Sequence, residues 1–388
     1  MSTVLLAVIA VILCVLFRIL NVNSQPQKPV IYGRDRSFIE NILFITPFIS
    51  EPYAPTRLWG FSGHVQTILH SLIGRVRCPW PIGGRISLVL PDKSTLTYDL
   101  YEPVGAEHED DVTVAICPGI GNTSESVYIR TYVHYSQCHG YRCAVLNHIG
   151  ALNSVPVTSS RIFSYGHTDD YNYMIENLLE RYPNTKLILV GFSLGGNLIT
   201  KYLGEDRKRS PNIIGGISIC QGYNAIDTMV YLLQWQNFRR FYLYIMTDNY
   251  RNIITRHKRI LLTPELKARY KLDENMIVSA GTLPDLDEAY SRYVSSRHAC
   301  SRDKMMYLEL SHGGHLGFYE GGLVYANPVN WLDRALVGLV GGLLMAHNKC
   351  SPKEDQSSDT AVSEDEPDLI KSATIVYKDP LDKASQTC

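Results

Sequence analysis

The sequence predicts an α/β fold, a mostly parallel sheet with helices on both faces. Two observations carry that prediction. From about Arg85 to Ala346, short apolar runs of strand length alternate with stretches of helical periodicity. At one junction the apolar run Leu187–Val190 meets Gly191-Phe192-Ser193-Leu194-Gly195, glycines set where a sharp strand-to-helix turn needs them. Hydrophobic residues make up 45% of the 388, enough for a full core and, by length, for one large or two ordinary domains.

The elements follow in order. Ile86–Pro103 reads as a hairpin turning at Pro91-Asp92-Lys93. Val112–Ile116 is a short apolar strand that ends in Cys117-Pro118-Gly119-Ile120-Gly121. Tyr128–Gln137 is a helix and Tyr141–Asn147 a strand. Asp169–Arg181 carries apolar residues at helical spacing, with Asp169 and Asp170 in the first turn, where the helix dipole favours them. Lys186–Val190 is a buried strand, Asn197–Leu203 a helix, and Ile213–Ile219 and Met305–Leu310 are further strands. Residues 21–84 read as a loop-rich lead-in, and the polar, acidic stretch 349–388 as disordered.

Composition excludes some functions. Lys+Arg 37 against Asp+Glu 38 leaves no basic excess for phosphates, so no nucleic acid partner is expected. The nine cysteines include no C-x-x-C pair and no H-x-x-x-H spacing occurs, so no metal and no cofactor is expected. Cys138 and Cys143 are the pair close enough to consider for a bridge. Thr3–Phe17 is uncharged and apolar, and with Arg18 snorkelling residues 1–20 read as an uncleaved membrane anchor; the rival is a signal peptide. Positive charge lies only after this segment (Arg18, Lys28, Arg34, Arg36), which places the bulk of the chain in the cytoplasm.

The chemistry is read at the strand–helix junction. A turn this sharp leaves no room for side chains two residues either side of Ser193 and stands its hydroxyl above the sheet, facing a helix N-terminus. Ser193 is therefore the candidate nucleophile. The oxyanion hole takes the N–H of the next residue, Leu194, and one from the loop after an earlier strand, Ile120. A base is expected late in the chain. Ser311-His312-Gly-Gly-His315 follows a strand in a glycine-rich loop; His315 is the choice and His312 the alternative. Asn122-Thr123-Ser124, a glycosylation sequon, falls inside the Ile120 loop.

GFSLGGN around Ser193, CPGIGNTSE from Cys117, GFSGHVQT from Gly60 and HGGHLGFYEG from His312 together resemble the membrane-anchored α/β-hydrolases of the YheT-like and abhydrolase-domain group. NHIGAL (Asn147–Leu152) and TDNYRNIITRHK (Thr247–Lys258) strengthen the match, which covers residues 55–345 and the anchor. The resemblance implies an α/β-hydrolase fold over 85–346 with a helical cap at 221–294. It implies serine ester hydrolysis of lipid substrates, monoacylglycerols foremost, and Ser193 with His315 as nucleophile and base. It also implies a type II single-pass protein, opposite to the charge distribution.

One departure stands out. The family carries its triad acid on a strand and loop of the A-x-D-D-P type about 30 residues before the histidine, and no such segment occurs here. GTLPDLDEAYSRYV (Gly281–Val294) resembles the end of the cap, followed at once by KMMYLELSHGGH. The fold is thus expected to lack one late strand, cut out near Val294–Ser295. The alternative makes Met276–Ala280 that strand and Asp285 or Asp287 the acid. Loss of the acid leaves a second functional reading, a catalytically impaired lipid-binding or scaffold protein.

Overall fold

The computed structural model describes residues 3–72, 78–104, 110–205, 208–223, 225–290, 304–350 and 374–376. Numbered along the chain, the strands are β1 (Val30–Gly33), β2 (Gly84–Val89), β3 (Thr95–Tyr101), β4 (Val112–Cys117), β5 (Arg142–Asn147), β6 (Lys186–Phe192), β7 (Ile213–Ile219), β8 (Met306–Glu309) and β9 (Thr374–Val376). The helices are α1 (Thr3–Leu20), α2 (Arg36–Ile45), α3 (Gly63–Leu72), α4 (Val127–Cys138), α5 (Asp169–Arg181), α6 (Leu194–Gly204), α7 (Ala225–Leu232), α8 (Arg239–Arg256), α9 (Lys258–Leu261), α10 (Pro264–Tyr270), α11 (Glu274–Ser279), α12 (Leu283–Tyr290) and α13 (Trp331–Cys350). The chain forms two compact units. One is Trp80–Cys300; the other combines Met1–Pro79 with Ser301–Cys388.

The first unit is built on a six-stranded sheet ordered β2-β3-β5-β4-β6-β7. The hairpin β2–β3 and the β3–β5 pair are antiparallel, and β5, β4, β6 and β7 run parallel. β4 is buried along its whole length and β6 from Leu187 onward, as expected of parallel strands covered on both faces. Met174, Ile175 and Leu178 of α5 and Leu198, Ile199 and Tyr202 of α6 close over Tyr98, Ala115 and Leu189. Through Tyr128 and Tyr132, α4 packs edge-on against Phe192, with ring centroids 5.3 and 5.8 Å apart. The hairpin turns at Lys93, whose φ of +65° is stabilised by Lys93 N–H donating to Leu90 O at 2.9 Å.

Helices α8 to α12 follow β7 and enclose a second apolar cluster, in which Ile253, Ile254, Ile277 and Leu286 meet Phe163 and Tyr250. Here the structure overturns the alternative sequence reading. Met276–Ala280 is not a strand: residues Glu274–Ser279 form α11. Asp273 caps it, its carboxylate accepting from Asn275 N–H at 2.8 Å and Met276 N–H at 3.2 Å. That capped first turn outweighs the β preference of the Met-Ile-Val run.

The second unit pairs β1 antiparallel with β8 and parallel with β9. The strand before His312 therefore belongs to a three-stranded sheet and not to the six-stranded one. The lead-in is more regular than its sequence suggests. Asp35 caps α2 by accepting from Phe38 N–H at 2.9 Å. α13 lies against α2 at a small-residue contact, where a Cβ on Gly342 would come within 3.0 Å of Ile42 Cα. α1 is an 18-residue apolar helix, long and apolar enough to cross a membrane.

Within the acidic stretch 349–388, α13 reaches Cys350 and β9 takes Thr374–Val376; the remainder lies outside the described residues, as does the Val294–Ser295 junction. Cys138 and Cys143 are both free thiols, so the bridge considered from their spacing does not form.

Candidate active site

Ser193 stands between the end of β6 and the first residue of α6, with φ +54° and ψ −115°. This is strained backbone for a non-glycine residue, of the kind that persists only where the surroundings impose it. They do. Ser193 N–H donates to Ile219 O of β7 at 2.8 Å, and Ser193 O accepts from Gly196 N–H at 2.9 Å. A Cβ on Gly191 would overlap the Gly195 carbonyl, and one on Gly195 would overlap the Cys117 carbonyl and lie 2.6 Å from Pro118 O. One on Gly196 would sit 2.5 Å from Ser218 Oγ. Each glycine of the motif is thus required by a named neighbour, and the residue they frame is a half-buried serine at a helix N-terminus.

The Gly195–Cys117 approach seats the elbow directly against the loop that carries Ile120. Among the described residues neither Ile120 N–H nor Leu194 N–H has a protein acceptor. Both side chains border the second apolar cluster, the one enclosed by α8 to α12. The loop turns at Gly121, φ +64°. Gly119 N–H donates to the buried Tyr128 hydroxyl at 2.9 Å. Pro118 O accepts from His148 Nε2 at 3.1 Å, and burial lowers the His148 pKa. The sequon amide is already engaged: Asn122 Nδ2 donates to Ile120 O at 3.1 Å, a bond that a glycan at this nitrogen would disturb.

A network unforeseen from the sequence holds the far end of this loop. Buried Asp99 of β3 accepts from Arg85 Nε at 2.7 Å and Nη2 at 2.9 Å, from Asn147 Nδ2 at 3.1 Å and from Ser124 Oγ at 2.7 Å. Asn147 Oδ1 in turn accepts from Ser124 N–H at 2.9 Å. The loop is pinned by the Tyr128 and His148 contacts at one end and by Ser124 at the other.

The histidine loop lies in the other unit and is equally constrained. A Cβ on Gly314 would approach Gly63 O and Thr67 N at 2.6 Å, and one on Gly63 would lie 2.9 Å from Gly313 O. Thr67 Oγ1 donates to Gly63 O at 2.8 Å and accepts from His315 N–H at 2.9 Å. Gln66 donates to Gly60 O and accepts from Tyr319 N–H, both at 2.6 Å. GFSGHVQT is therefore the seat of the HGGHLGF loop, a relation between two motifs that sequence reading left unexplained. His312 Nε2 donates to Gln25 O at 2.9 Å and its ring meets Phe61 edge-on, contacts that hold the loop.

Of the two acids considered, Asp285 is occupied as a cap, its carboxylate accepting from Thr282 N–H at 3.0 Å. Asp287 Oδ1 is buried and makes no hydrogen bond among the described residues, and burial raises its pKa to about 6. His298 and Asp303 stand at H-x-x-x-x-D spacing, and both lie outside the described residues. Among the described residues no cluster of His, Cys, Asp and Glu could hold a metal ion.

The family described as alpha/beta hydrolase fold matches residues 112–303. Abhydrolase domain-containing protein 2 of Drosophila melanogaster is 56% identical, over 89% of this chain and 98% of the relative. A Homo sapiens protein named Monoacylglycerol lipase ABHD2 is 36% identical, over 91% of this chain and 95% of its own. A second human protein, named Phospholipase ABHD3, is 23% identical over 83% and 86%. The Drosophila alignment runs to 392 positions yet uses 89% of a 388-residue chain, so tens of its positions face no residue here.

Proposed function

The chain belongs to the α/β-hydrolase family, among the abhydrolase-domain proteins, and from that premise we propose that it is a membrane-anchored serine hydrolase cleaving carboxylic esters of lipids, monoacylglycerols foremost. The observation that carries this reading is the strained backbone of Ser193 at the β6–α6 junction. Ser193 Oγ attacks the ester carbonyl. His315, assigned from its place after the nucleophile in the chain and from the family motif, takes the proton and returns it to the departing glycerol oxygen. The N–H groups of Leu194 and Ile120 receive the charge on the carbonyl oxygen, and α6 directs its positive end there. Water then cleaves the acyl-enzyme. The apolar cluster bordering Ile120 and Leu194 supports an acyl chain as the group held.

α1 supports anchoring. Its 18 residues span about 27 Å as a helix, close to the hydrocarbon thickness of a bilayer, and its side chains are exposed. The resemblance implies a type II placement and the charge distribution the opposite one; protease protection of intact microsomes decides between them. The hydrolase reading is tested with a fluorophosphonate probe and monooleoylglycerol. Labelling and turnover in the intact chain, both absent in Ser193→Ala, are expected. An unlabelled intact chain that still binds the lipid would instead identify a non-catalytic lipid-binding protein.

A further inference from the structure

The turn between α7 and α8 presents its aromatic side chains to solvent. Trp235 is 81% exposed and Phe238 61%. On α8, Leu243, Thr247, Tyr250, Ile253 and Ile254 form the buried face, while Phe241, Tyr244 and Ile245 are exposed. The first half of this helix is therefore apolar on two faces, whereas a helix that only covers a core carries polar residues outside. Backbone strain accompanies the exposure. Asn237 and Phe238 are consecutive non-glycine residues in the left-handed region, with φ +52° and +56°.

The charge beside this surface is also informative. Arg239 and Arg240 open α8, where the helix dipole disfavours cations, and no acidic residue stands in that first turn. The Arg240 guanidinium lies 4.5 Å from the Trp235 ring centroid and Arg239 5.5 Å from that of Tyr231. Paired Arg and aromatic residues beside exposed aliphatic surface match the headgroup zone of a bilayer, where rings sit at the polar–apolar boundary and guanidinium groups meet phosphates.

We propose that this face, centred on Trp235, Phe238 and Phe241, docks on an anionic lipid bilayer, with Arg239 and Arg240 against the headgroups. It gives the cap its own membrane contact, independent of α1. The inference extends the reading of a membrane-resident substrate, but its test reads depth and not turnover, so an inactive chain can dock and an active one can fail to.

The experiment uses the full chain reconstituted in vesicles of phosphatidylcholine with phosphatidylserine. The chain has four tryptophans, and the difference between wild type and Trp235→Phe isolates Trp235. Lipids brominated near the headgroup should quench most of that difference emission, and aqueous iodide should not. Arg239→Gln with Arg240→Gln should lose the part of the quenching that depends on phosphatidylserine. The proposal is overturned if iodide quenches Trp235 and brominated lipid does not. It is equally overturned if Trp235 is shielded from both and cross-links to a second chain, which would make this face a self-association surface.

Discussion

Replacing Asp287 with asparagine should stabilise the protein, and the size and pH dependence of the effect follow from its surroundings. The side chain lies on α12 against the cap's apolar cluster, its Oδ1 lacks a hydrogen-bond partner among the described residues, and burial raises its pKa from 3.8 to about 6. At 1.36 kcal/mol per unit, ionising it in the folded state at neutral pH costs at most about 3 kcal/mol. Part of the side chain remains wet, so roughly half of that, about 1.5 kcal/mol, is the expected gain in Asp287→Asn. An acid whose folded pKa is raised binds its proton more tightly when folded. Its contribution to stability therefore falls as pH rises from about 4 to about 6 and stays at the lower value above. Urea unfolding of both proteins should show no difference near pH 4 and the full gain above about pH 6. A variant less stable than wild type at neutral pH, or equally shifted at both, would refute this account. Ester turnover measured alongside should be unchanged; a sharp loss with folding intact would make Asp287 the triad acid.

His315→Ala should lower ester turnover by about 10²–10⁴-fold, the range for losing a general base. His312→Gln should retain turnover and lose about 1 kcal/mol of stability through the Gln25 contact, read by thermal unfolding. Thr67→Val should lower kcat at unchanged KM by freeing the His315 backbone, and Thr67→Ser should restore it. Deleting residues 1–20 should release the chain from membranes in carbonate; release of the intact chain would count against an anchor.

Much of the fold was legible because its strands carry the signal in their own residues. β4 and β6 are unbroken apolar runs, and the glycines at 191, 195 and 196 mark a turn that no other residue fits. The start of α6 was read three residues late because Leu194-Gly-Gly scores poorly as helix, and only the Ser193 elbow forces the helix to begin there. The alternative that makes Met276–Ala280 a strand rests on a β-branched pair in a short window, whereas the Asp273 cap outside that window sets the helix. The seat of the histidine loop was not legible at all. Gly63 and Gly313 are 250 positions apart, and nothing in either motif names the other as its neighbour.

Asp99 places a buried negative charge at the base of a loop whose proposed task is to receive another. Taken alone it would raise the energy of a developing oxyanion through a poorly screened medium. Arg85 alters that field. Its two contacts turn a monopole into a close ion pair, and the potential of a pair falls off faster with distance than that of a single charge. The carboxylate can thus fasten Ser124 and Asn147 while its repulsion stays local. Asp99 is buried whereas Arg85 is exposed, so added salt should weaken the pair from the guanidinium side while the carboxylate keeps its hydrogen bonds from Ser124 and Asn147.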